Sequence, residues 1–139
     1  MSWFLWSILA ALFAAATAIL AKIGVSDVDP NLAAAVRTSV VVVFTWIIAV
    51  SAGSHAGLVH VDKRSWLFLA LSGVATGLSW ICYFHALSLG PVSKVAPIDK
   101  LSVVFVIIAA WPFLGEKLTP GKLVGGGLIA AGAIILALS

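Results

Sequence analysis

Apolar residues run almost unbroken through five stretches of the chain, and polar residues collect between them. The stretches are residues 2–21, 31–52, 65–89, 91–114 and 120–138. A helix needs about 20 mostly apolar residues to cross the hydrocarbon core of a bilayer, and each stretch meets or approaches that length. Membrane-spanning strands alternate apolar and polar positions over about ten residues, whereas these runs are continuous. The pattern predicts an all-α integral membrane protein: five transmembrane helices in a single domain over residues 1–139.

The connections carry turn and cap chemistry. Gly24 to Asn31 closes the first helix and opens the second, with Asn31 expected as the N-cap. Gly53 to Arg64 is the longest and most polar loop. Leu89-Gly90-Pro91 is a sharp stop and restart, with glycine past one helix and proline opening the next. Gly115 to Pro120 is another, with Thr119 expected to cap ahead of Pro120. The first stretch reads as a helix rather than a cleaved leader because no basic segment precedes its apolar run.

Composition narrows the picture. Hydrophobic residues make up 63% and charged residues 9% of the 139, against about 25% charged in a soluble domain. These values exclude an ordinary cytosolic enzyme, a disordered chain and a nucleic-acid binder. The lone Cys82 allows neither an intrachain disulfide nor a cysteine metal cluster, and nothing calls for a cofactor. Eight Lys and Arg against five Asp and Glu are read as a topology signal. Lys63, Arg64, Lys117 and Lys122 fall in loops on the side of the N-terminus, and Lys22 and Lys94 in loops on the other. The excess makes the N-terminal side cytoplasmic. The margin is thin, and it vanishes once Arg37 and Lys100 are counted. A near-neutral bias also allows dual insertion, with an antiparallel partner supplying the inverted repeat that many transporters carry within one chain. A five-helix bundle is small for an alternating pathway, so a homodimer is expected.

The strongest functional signal is charge inside the predicted spans: Arg37, Asp99 and Lys100. Each costs about 2.5–3.5 kcal/mol at a helix centre, on the order of 8 kcal/mol together if left unpaired. They must face a polar interior, pair with one another or snorkel. Arg37 lies roughly 9 Å along its helix and Asp99 and Lys100 roughly 12–14 Å along theirs. Arg37 has the length to snorkel, and Asp99 does not. Thr17, Lys22, Asn31, Arg37, Tyr83, His85, Ser93, Lys94, Asp99 and Lys100 all fall in the half of the membrane away from the N-terminus. This suggests a water-filled vestibule, although an Arg37–Asp99 ion pair that only fixes helix packing is the plain alternative. Pro97 interrupts the fourth helix and frees the carbonyl of Ser93. Such breaks survive in lipid where protein or cavity water satisfies the freed group.

The third helix carries Ser72, Thr76, Ser79 or Trp80, and Tyr83 at helical spacing. Trp80 and Tyr83 are candidates for an aromatic wall against a ligand, and Ser72 and Thr76 for interhelical hydrogen bonds. His55 and His60 share a loop without further ligand types, so no metal site is assigned. In the fifth helix, Gly121, Gly125, Gly126, Gly127, Ala130 and Ala131 form small pairs four residues apart, the mark of close helix packing at a dimer face.

The run from Tyr83 to Pro97 (YFHALSLGPVSKVAP) is similar to the junction of the third and fourth helices in EamA-like proteins of the drug/metabolite transporter superfamily. The stretch from Phe113 to Thr119, followed by the glycines from Gly125 to Gly132, resembles that family's Gly-Glu turn and glycine-rich last helix. The five-helix spacing matches one EamA-like unit over essentially the whole chain. Many family members hold two units in ten helices, and this chain resembles the single-unit ones. The resemblance implies transport of a small metabolite across a prokaryotic inner membrane, through a cavity lined by the first, third and fourth helices among others. It also implies that Glu116 anchors its turn on the cytoplasmic side.

The sequence therefore predicts a secondary transporter or exporter working by alternating access as a homodimer. The candidate substrate-binding or coupling residues are Thr17, Arg37, Ser79, Trp80, Tyr83, Lys94, Asp99 and Lys100, with Asp99 the coupling acid and the cations drawing an anionic or zwitterionic group. The competing reading is a non-transporting membrane scaffold or accessory subunit. An enzyme is not expected, since no nucleophile and base, metal-ligand set or phosphate loop is found.

Overall fold

A computed structural model describes residues 2–139. They form α1 (Trp3–Gly24), α2 (Pro30–Ser51), a 3₁₀ segment (Ser54–His60), α3 (Lys63–Leu89), α4 (Val92–Asp99), α5 (Leu101–Leu114) and α6 (Pro120–Leu138). Taken with α4 and α5 as one interrupted span over Val92–Leu114, five helices are long and apolar enough to cross a membrane. The chain divides into two compact units, one of residues up to Lys22 with Leu89–Ser139, the other of Ile23–Ser88.

Side-chain placement is that of a lipid-facing protein. The large apolar residues lie outward along every span, among them Phe13, Val43, Leu69, Phe105 and Leu128. The buried positions are mostly small: Ala18, Ala21, Ala34, Ala110 and Ala133. Lipid offers no hydrogen bonds, so hydroxyls in the spans must be satisfied locally. Thr38, Ser39, Thr45 and Thr76 donate to the carbonyls of Ala34, Ala35, Val41 and Ser72, one turn back. The hydroxyl of Thr76 therefore serves its own helix and is not spent between helices.

In the unit Ile23–Ser88, the start of α2 differs from the sequence expectation. The N-cap is Asp29, whose Oδ1 accepts from the backbone N–H groups of Asn31 (2.9 Å) and Leu32 (3.1 Å), with Pro30 as the first helical residue. A carboxylate two residues before Asn31 takes the orphan donors, and proline supplies a φ already suited to the first turn. The Asn31 side chain is thereby released for another contact. At its far end α2 stops at left-handed Gly53 (φ 70°), and the 3₁₀ segment packs back on its last turns. An open hollow there is lined by Thr45, Trp46, Ala49, Ser54, His55 and Leu58.

In the other unit, α4 and α5 both pack on α6. Gly126 is buried on α6, with Ile107 Cδ1 only 3.5 Å from where a Cβ would stand. Gly121, Gly125, Gly127 and Gly132 have open space at that position. The predicted break comes later than Pro97. The helix runs through the proline to Asp99, tightens with a Lys100 N–H bond to the Pro97 carbonyl (3.1 Å) and restarts with Val103 N–H on the Lys100 carbonyl (3.0 Å). Proline removes a donor at its own nitrogen, but the ladder gives way at the next turn, where a 3₁₀-type bond takes over. Beyond α5, Gly115 is left-handed (φ 68°), and its N–H and that of Glu116 (3.2 Å) both reach back to the Ala110 carbonyl, closing the helix end. Thr119 caps α6 as expected, accepting from Lys122 N–H (3.3 Å). The Glu116 carboxylate receives Lys122 Nζ at 2.7 Å.

Candidate functional site

In the unit Ile23–Ser88, α2 and α3 are joined by two side-chain rungs. His85 Nε2 lies 3.2 Å from Asn31 Oδ1. Six residues further along α2, and five back along α3, the guanidinium carbon of Arg37 lies 3.3 Å from the centroid of the Trp80 ring. At about 1.5 Å per residue the steps are roughly 9 and 8 Å, so the rungs belong to one antiparallel register. Arg37 is half-buried and lies level with Trp80, so it reaches across to α3 rather than snorkelling.

Trp80 is itself held in place. Tyr83 meets it edge-on, with centroids 5.6 Å apart at 78°, and Phe84 lies tilted against it at 6.1 Å. Edge-on aromatic pairs place the positive ring edge on the negative face. Phe84 and Leu87 are fully buried. The working face of α3 is therefore Trp80, Tyr83, Phe84 and Leu87. Ser79, about 100° away around the helix, is exposed and not part of it.

The guanidinium covers one face of the Trp80 ring. The acids of this unit are also engaged elsewhere: Asp27 accepts from the Ser26 hydroxyl (3.2 Å), Asp29 caps α2, and Asp62 is bonded by Ser65. Among the described residues of the unit no carboxylate pairs with Arg37 and no acceptor takes its N–H groups.

The remaining candidates belong to the other unit. Thr17 is half-buried on α1, beside buried Ala18 and Ala21. Lys22 Nζ donates to the Gly90 carbonyl (2.9 Å), tying the end of α1 to the turn that opens α4. Lys94 is half-buried on α4. Asp99 and Lys100 form an ion pair at the interruption, with Lys100 Nζ 3.0 Å from Asp99 Oδ2. Among the described residues no three of His, Cys, Asp and Glu converge as metal ligands would.

Reading residues singly missed the Asn31–His85 and Lys22–Gly90 contacts and the part played by Phe84. Phe84 carried a signal, since it stands one turn beyond Trp80. The two hydrogen bonds join residues 54 and 68 positions apart, and only their shared membrane half hinted at them.

Five apolar spans with charged side chains set inside them define a polytopic, all-helical integral membrane protein. The chain belongs to the EamA-like transporter family, whose sequence profile matches residues 1–138. It is 47% identical over 136 residues, 98% of this chain and 96% of the relative, to a Sinorhizobium protein named an uncharacterized transporter in the cobO 3′ region. It is 42% identical over 72 residues, half of this chain and 55% of the relative, to a probable 4-amino-4-deoxy-L-arabinose-phosphoundecaprenol flippase subunit, ArnF, of Erwinia tasmaniensis. No solved structure matches.

Proposed function

We propose that the protein moves a small metabolite across the cytoplasmic membrane by alternating access, as a homodimer, with its N-terminus in the cytoplasm and no covalent chemistry of its own. The observation that carries this reading is Arg37: a guanidinium inside a span, seated on an aromatic ring, with no acid of its own unit against it. A cation held only for packing would be cheapest with a carboxylate beside it, since an intramembrane arginine costs about 2.5–3.5 kcal/mol on the insertion scale. A cation left with free donors serves something that comes and goes. The interrupted span supports the same reading, because irregular backbone within a membrane is tolerated where it lines a polar cavity.

Asp99 and Lys100 sit at that interruption as the candidate coupling pair. Lys94 and Thr17, of the same unit, are candidate wall residues, and within the unit Ile23–Ser88 Tyr83 braces Trp80. Homodimerisation follows from size, since one five-helix unit offers little room for a pathway that opens alternately to two sides. The relatives' names agree in kind: one is called a transporter and the other a flippase subunit.

Thiol accessibility tests the reading. In a Cys82→Ser background, Thr17→Cys and Asp99→Cys should react with a membrane-impermeant polar thiol reagent, while Leu69→Cys on the lipid face stays inert. Inert cysteines at both 17 and 99 would mean a dry interior and would favour the scaffold.

A further inference from the structure

We infer that Trp80 is the seat of an oxyanion receptor: it holds the Arg37 guanidinium by its face and leaves the N–H edge for a phosphate or carboxylate on the transported solute. The inference rests on the transport reading and names the chemistry of its substrate.

Geometry separates the two surfaces of the guanidinium. A carbon 3.3 Å above a ring centroid is in face contact, which uses the flat side of the group. The five N–H donors lie in the guanidinium plane and point outward from its rim. Ring contact therefore consumes none of them. No acceptor of the unit consumes them either, since Asp27, Asp29 and Asp62 are engaged by Ser26, by the start of α2 and by Ser65. A rim of donors inside a span needs an acceptor, because hydrocarbon supplies none. Phosphate and carboxylate match the fork with two parallel hydrogen bonds, which a lysine cannot reproduce.

The seat is also built for orientation. Tyr83 edge-on and Phe84 tilted fix the Trp80 plane. The Asn31–His85 rung holds α2 against α3 roughly one and a half turns away. The donor rim is thus preset before any solute arrives, which lowers the ordering cost of binding. Trp80 is a positioning residue in this scheme. It touches Arg37 and not the solute, and its indole is placed to report on the site.

The test uses the full chain in detergent micelles. Trp80 emission is read as wild type minus Trp80→Phe. The soluble probes are sn-glycerol 3-phosphate and citrate at ionic strength matched with sodium chloride. The lipid probe is phosphatidic acid, against phosphatidylcholine as control. Saturable change of Trp80 emission with glycerol phosphate or citrate is expected, absent in Arg37→Gln and at least about tenfold weaker in Arg37→Lys. Trp80→Phe, which keeps a ring face, should retain oxyanion-dependent thermal stabilisation. Trp80→Leu should weaken it by about tenfold, the span of a desolvated cation–π contact. A response to phosphatidic acid alone would support the receptor and assign the oxyanion to a lipid headgroup. No response to any oxyanion, a response that survives Arg37→Gln, or equal stabilisation of Trp80→Leu and wild type would overturn the inference. Thiol labelling keeps the two readings apart. Labelled cysteines at 17 and 99 in a protein that ignores all the oxyanions sink the receptor alone. Inert cysteines in a protein that answers them sink the transport reading alone.

Discussion

Asn31 and His85 meet at 3.2 Å, and the contact sets the register of the α2–α3 hairpin at the end far from its connecting loop. Asn31 is free for this because Asp29, two residues earlier, has taken over the helix cap. The Asp29 cap thus leaves the Asn31 amide to His85, in a hairpin whose register brings Arg37 level with Trp80.

The contact is separable from the cap by substitution. Asn31→Ala and His85→Ala should each lower stability in detergent, with a coupling of about 0.5–1 kcal/mol in a double-mutant cycle, the net value of one exposed neutral hydrogen bond. Asp29→Ala should cost about 1 kcal/mol as a lost N-cap and show no coupling to His85. Thermal unfolding of the three single and two double variants checks this; equal coupling of His85 to positions 29 and 31 would contradict the assignment of roles.

The glycines of the last two helices divide by backbone and not by space. Gly115 stands in open surroundings but at φ 68°, so Gly115→Ala should destabilise by about 1–2 kcal/mol. Gly126 is buried, yet an added Cβ would meet Ile107 Cδ1 at 3.5 Å, an ordinary contact. Gly126→Ala should be neutral or stabilising by up to about 1 kcal/mol through helix propensity. Gly126→Leu should part α6 from α5 and lower the unfolding temperature.

Asp62 sets an acid limb outside the membrane. The Ser65 side chain holds its carboxyl below the ordinary carboxylate value against opposing desolvation, with backbone N–H groups at Ser65, Arg64 and Asp62 itself adding smaller contributions. A pKa depressed on folding adds stability that is complete above the unfolded value and disappears as pH falls through the folded one. Asp62→Asn should therefore lower stability at neutral pH and flatten the fall in that acid window, the two profiles converging below it. Titration of unfolding between pH 2 and 6 (roughly the window of such carboxylates) reads the difference.

Much of the fold was legible in the chain because hydrocarbon imposes one rule, satisfaction of the backbone within each span, and length and apolarity then mark the helices. The Thr119 cap, with Pro120 behind it, followed from local chemistry in the same way. Asn31 was misread as a cap because Asp29 and Asn31 flank Pro30 and both residue types cap well; the carboxylate won by reaching two N–H groups at once. The position of the break was misread because the donor is lost at Pro97 while the ladder yields at Lys100. The charged positions were visible from sequence, but which aromatic face a guanidinium takes depends on the relative rotation of two helices, and no local pattern encodes that. The Arg37 contact on the Trp80 ring therefore had no local signature.

In the transport cycle proposed above, Asp99 is the coupling acid. Its partner is Lys100, the next residue, across the interruption of the fourth span at 3.0 Å. Their side chains are 37% and 56% exposed respectively, so the pair contributes about 0–1 kcal/mol to stability and its loss should leave the fold intact. An acid at a break in the helix can take up and release a proton while its neighbour supplies or withdraws a compensating charge, and asparagine cannot. Asp99→Asn should reduce proton flux into proteoliposomes, driven by a gradient of the oxyanion that Trp80 emission identifies, by at least about tenfold, a loss of roughly 1.4 kcal/mol in the coupled step, and remove its dependence on pH. A trapped pH-sensitive dye reads both. Wild-type flux and pH dependence in Asp99→Asn would remove Asp99 from the coupling path, leaving the pair as a brace for the break between α4 and α5.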